Sequence, residues 1–219
     1  MKQVRNITTV ILLGFTLILP TAVLSFGGFK LPSIPGLSGG GSSTSAEVDT
    51  KGLTKQTSRV LSDFAKAFGL FGEAFGLKVD SDLMDKIANC SSEKVCVEGD
   101  DADKMVDTSN ALKDKAEQMK NNGVKMDAAS AAKFSAGLLP YAKGTFKGIG
   151  LIKSLKDAVP AIQSQIKSNP IGSIGKLKTM LDIVSDIPPM ITAFSTSTGA
   201  IYDYATFSGI EIPEESGPE

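Results

Sequence analysis

Apolar residues return at three- and four-residue steps between Leu53 and Phe75: Leu53, Val60, Leu61, Phe64, Phe68, Phe71 and Phe75. Steps of that size line up on one face of an α-helix, and the pattern predicts a helix starting near Asp49 or Thr50. Beside it, Ala65, Gly69, Gly72 and Gly76 make a stripe of small residues. Glycine within a helix costs about 1 kcal/mol relative to alanine, so the stripe predicts a compensating gain, the close approach of another helix. Asp80 or Ser81 is placed to cap a short helix reaching about Asn89. The next helix opens with Asp100, Asp101 and Asp103, whose charges complement the positive end of the helix dipole. It runs to about Asn121 on the face Met105, Ser109, Leu112, Ala116 and Met119, and Asn122-Gly123 ends it.

Past Asp127, which is placed to cap a further alanine-rich helix, proline becomes the punctuation. Pro140, Pro160, Pro170 and the pair Pro188-Pro189 divide the chain into helical pieces at about 128–139, 141–158, 160–168, 171–186 and 189–208, because proline starts or kinks a helix. Gly209 closes the last. No stretch alternates with a period of two in Val, Ile and Thr. The expected class is therefore all-α: a single bundle of about six to eight short and medium helices over residues 47–209.

Residues 138–167 hold the densest pattern. Leu138, Ala142, Phe146, Ile149, Ile152, Leu155, Val159, Ile162 and Ile166 can share one apolar side, and Lys143, Lys147, Lys153, Lys156 and Lys167 surround it with positive charge. A basic amphipathic helix can lie on an anionic bilayer. The same pattern also describes a core helix packed on an acidic neighbour, which is the reading preferred here; it places Ile152 in the core.

The chain ends read differently. Lys2 and Arg5 precede an apolar run of 13 residues from Ile7 to Leu19, then Pro20 and small residues. That order is the grammar of a secretory signal, with cleavage expected after Ser25. A membrane span needs about 20 apolar residues, which this run does not reach, and no cysteine sits at the junction to take a lipid. Residues 26–46, rich in Gly, Pro and Ser, read as a flexible linker, and residues 210–219 as an acidic tail.

Export changes how the two cysteines are read. Cys90 and Cys96, six positions apart, are expected to form a disulfide; a metal site would need further ligands, and the chain has no histidine. Without residues 1–25, 21 basic residues face 24 acidic ones, a net charge of −3 that argues against nucleic acid as a partner. The charge falls in blocks: net −5 over residues 80–127, +7 over 133–178, and seven acids with no base over 179–219. Pairing between such blocks within the fold is expected.

Candidate chemistry is sparse. The lack of histidine removes the commonest general base and the usual triads. Asp80, Asp82 and Asp85 resemble the start of a calcium loop, but Met84 takes a ligand slot and Ser91 stands where the closing glutamate belongs. Gly172-Ser173-Ile174-Gly175-Lys176 lacks the leading glycine and the final Ser or Thr of a phosphate loop, and Gly148-Ile149-Gly150 follows no strand. No catalytic residue, cofactor or metal is expected. The expected function is that of an exported, periplasmic or secreted, non-enzymatic helical protein that binds a protein partner in the cell envelope. The alternative is binding to anionic lipid through the basic segment, with Lys143, Lys147, Lys153 and Lys156 as the contacting residues.

Overall fold

The structure, a computed structural model, describes residues 48–168 and 174–213. The expected signal, the linker and residues 214–219 of the acidic tail lie outside the described residues. Among the described residues the secondary structure is entirely helical: α1 (Thr50–Phe75), α2 (Ser81–Ala88), α3 (Asp100–Asn121), α4 (Ala128–Ser168), α5 (Ile174–Thr196) and α6 (Thr198–Ser208).

α1 is the central element, bordered by α2, α3, α4 and α5, with its most extensive packing against α4. Asp49 caps its start, accepting a hydrogen bond from the Gly52 N–H at 2.8 Å. Gly76 ends it with φ of 63°, a left-handed angle that costs a glycine little. The Leu77 N–H then reaches back to the Gly72 carbonyl at 2.9 Å, closing a Schellman turn. Phe64, Phe68, Phe71 and Phe75 are all buried. They meet rings from three other helices: Phe64 lies 4.7 Å from Phe194 of α5, Phe71 4.8 Å from Phe134 of α4, and Phe75 5.5 Å from Tyr204 of α6. Each fully buried side chain of this kind contributes about 1.5–3 kcal/mol, so the aromatic seam is what joins the helices.

The proline punctuation does not hold at Pro140, Pro160 or Pro188-Pro189, while the break expected at Pro170 lies outside the described residues. α4 runs unbroken through Pro140 and Pro160, and α5 through Pro188 and Pro189. α5 and α6 are separated only by Ser197, which itself has helical backbone angles. The described residues thus form five helical bodies, fewer than the six to eight expected. A proline inside a helix costs about 3 kcal/mol. Buried residues stand on both sides of each site: Leu138 and Tyr141 about Pro140, Leu155 and Ile162 about Pro160, Ile187 and Met190 about the proline pair. Ending the helix there would lift one of those sides off the core, at a greater cost.

The small-residue stripe of α1 receives α2 and the turn before it. A Cβ at Gly72 would lie 2.7 Å from Val79, and one at Gly69 would reach Met84 at 4.0 Å. The tightest approach to α4 depends on α4's own glycines: a Cβ at Gly137 would stand 2.7 Å from Phe71, and one at Gly148 2.7 Å from Ile191.

Candidate partner-binding surface

α4 presents two unlike faces. Phe134, Leu138, Tyr141, Leu151, Leu155 and Ile162 point into the core. Facing water, Leu139 is 42% and Ile149 50% exposed. Phe146 is half-buried yet stands outside the core cluster. Lys143 is half-buried, and Lys153 and Lys156 are exposed. The spacing 139, 143, 146, 149, 153, 156 keeps these six on one side of the helix, a strip about 25 Å long at 1.5 Å per residue.

The apolar side expected from the sequence therefore divides. Leu138, Ala142, Leu155 and Ile162 are buried and Ile152 packs against the core, but Ile149 is not part of it. The buried line passes through Gly137, Gly144 and Gly148, which have no side chain for a hydrophobic pattern to register. Counting only apolar side chains diverts the line onto Phe146 and Ile149.

The lysines divide in the same way. Lys147, on the flank, pairs with Asp63 of α1 at 3.4 Å, and Lys133 pairs with Glu73 at 2.7 Å. Both partners lie on α1, outside the acidic blocks expected to neutralise this region. The block at 80–127 is paired largely with its own lysines, as in Lys86–Asp101 at 2.8 Å and Lys113–Glu117 at 3.8 Å, while Lys120 reaches Asp203 at 2.6 Å. α3 packs on α1, α5 and α6, so its acids are not brought to the outer side of α4. Among the described residues, no carboxylate pairs with Lys143, Lys153 or Lys156.

The other sites singled out in the sequence have structural roles. Cys90 and Cys96 form a disulfide with Cα atoms 5.9 Å apart. The loop it closes is held on α1, where the Ser58 hydroxyl donates to the Lys94 carbonyl; the end of α2 just before it is held there too, by the Ser62 hydroxyl donating to the Ala88 carbonyl at 2.6 Å. Asp80 caps α2, accepting from the Leu83 N–H at 3.1 Å. The hydrogen bond from Lys86 holds the Asp101 carboxyl below its ordinary range. No group of acidic residues and cysteines among the described residues is arranged to hold a metal ion. An open depression at the α1–α2 turn, lined by Lys78, Val79, Asp80, Ser81 and Asp82, is shallow and has no buried polar group aimed into it.

Two buried polar contacts escaped the sequence reading. The Tyr141 hydroxyl donates to the Phe194 carbonyl at 2.7 Å, and burial pushes its phenol well above the ordinary value. The hydroxyls of Ser109 and Ser197 lie 2.9 Å apart where α5 passes into α6. Both contacts tie helices together; neither pairs a nucleophile with a base. Compared with known protein families, curated proteins and solved structures, the chain matches none.

Proposed function

We propose that this is an exported, non-enzymatic binding protein whose helical bundle presents the outer strip of α4 to a macromolecular partner in the cell envelope or the secreted space. The observation that carries this reading is the contrast among the lysines of one helix: Lys133 and Lys147 are paired with α1, whereas Lys143, Lys153 and Lys156 alternate with exposed Leu139 and Ile149 and meet no carboxylate among the described residues. Unpaired charge beside exposed apolar surface is what an interaction site requires, since a partner can both steer to it and cover it. No helix among the described residues is long and apolar enough to cross a membrane.

The reading is tested in the producing cell by placing a photo-crosslinking side chain at position 139, 149 or 153, and at exposed positions 110 and 118 of α3 as controls. Adducts of defined mass, to protein or to lipid, are expected from the α4 positions alone. Equal adducts from both helices, or none from α4, would overturn the reading. The export element has its own measurement: protein recovered outside the cytoplasm should have the mass of a chain beginning at Phe26, and a mass retaining residues 1–25 would contradict it.

A further inference from the structure

The shape of the strip narrows the partner, on the assumption that the strip is the binding surface. It runs along one side of a single helix, α4. A stable protein interface buries about 800 Å² on each partner and is anchored by side chains seated in pockets. A strip about 25 Å long and one helix wide falls short of that area. A planar surface needs no shape complement.

The charge argues the same way. The whole chain carries a formal net charge of −1, so no general attraction to an anionic surface exists. Lys143, Lys153 and Lys156 make a local exception, with Asp157 the single acid on that side of the segment. Phe146 and Ile149 stand between Lys143 and Lys153, and Leu139 one turn before Lys143. Lysine stems can lie along an apolar surface while their ammonium groups reach phosphate, which lets the three apolar side chains enter the boundary between headgroups and acyl chains. We infer that α4 lies flat on an anionic phospholipid bilayer, with the strip from Leu139 to Lys156 facing the lipid.

The test is flotation of the protein beginning at Phe26 with two kinds of vesicle, pure phosphatidylcholine and phosphatidylcholine containing about one-third phosphatidylglycerol, at low and at raised salt. Binding is expected to the anionic vesicles alone and to weaken as salt screens the surface. The triple variant Lys143→Gln, Lys153→Gln, Lys156→Gln should bind about a hundredfold more weakly, each lysine near an anionic surface being worth about a factor of ten or less. The paired Lys133→Gln should change little, and the melting temperatures of all should agree. Binding to both vesicles alike, or anionic binding that the triple variant retains, would overturn the inference. So would binding to neither vesicle. In that event, crosslinks from the strip to a protein would leave the binding-surface reading standing with a different partner, and the absence of crosslinks would remove both.

Discussion

On the inner side of α4, Leu155 is completely buried; less than two turns away, Ile149 has half of its surface in water. Gly148 and Gly150 make a second such pair. A Cβ at Gly148 would collide with Ile191, whereas nothing lies within 4 Å of one at Gly150. Residues of one type, two to six positions apart on one helix, thus hold opposite roles. The inner face is built for contact, with glycines admitting Phe71 and Ile191. The outer face keeps apolar side chains in water and, among the described residues, pairs three lysines with no carboxylate. The outward positions of a helix serving only the core are commonly polar, and Leu139 and Ile149 depart from that pattern.

The widest separation between the faces should come from truncation. Leu155→Ala is expected to cost about 2–5 kcal/mol, the transfer term plus the cavity it leaves. Ile149→Ala should stay within about 0.5 kcal/mol, as at other exposed positions. Chemical denaturation of the two variants measures both, and equal losses would mean that the outer face is packed as well. The glycine pair sharpens the comparison. Gly148→Val adds atoms where Ile191 already sits and should cost about 1–3 kcal/mol, while Gly150→Ala should stabilise by roughly 0.5–1 kcal/mol through helix propensity.

Away from α4 the expected effects are smaller. Replacing Cys90 and Cys96 by serine opens a short loop, and the chain-entropy estimate puts the loss at about 2 kcal/mol. The bonds from Ser58 to the loop and from Ser62 to the end of α2 should keep the fold intact, so far-UV circular dichroism should be unchanged. The smallest effect belongs to Asp101. Its carboxyl is depressed from 3.8 in the folded protein by the hydrogen bond from Lys86. A lowered carboxylate stabilises above the unfolded value, and that stabilisation is lost as pH falls through the folded value. Asp101→Asn should therefore melt slightly below the parent at neutral pH, and the gap should close as pH drops below 3.8. A gap that widens in acid would contradict the pairing.

Much of this was legible where side chains carry the signal. The all-α class, the start and buried face of α1, the cap at Asp80 and the disulfide follow from residue type and spacing. The proline breaks were misread because local propensity was set against burial that only the assembled core supplies, on both sides of Pro140 and of Pro188-Pro189. The inner line of α4 was misread because Gly137, Gly144 and Gly148 occupy it silently. The basic character of the candidate strip was plain from the sequence. Which apolar residues share its outer side was not, since steps of three and of four both fit until the neighbours of α4 decide between them.

The central claim is that the outer face of α4 serves binding and not folding, and Ile149→Asp tests it most directly, read for thermal unfolding and for flotation with anionic vesicles on the same preparation. An exposed position should shift the melting temperature by no more than about 1–2 °C, while a carboxylate placed between Lys153 and Phe146 should abolish vesicle binding. A variant that melts far below the parent, or one that melts with it and still floats with the vesicles, would contradict the account.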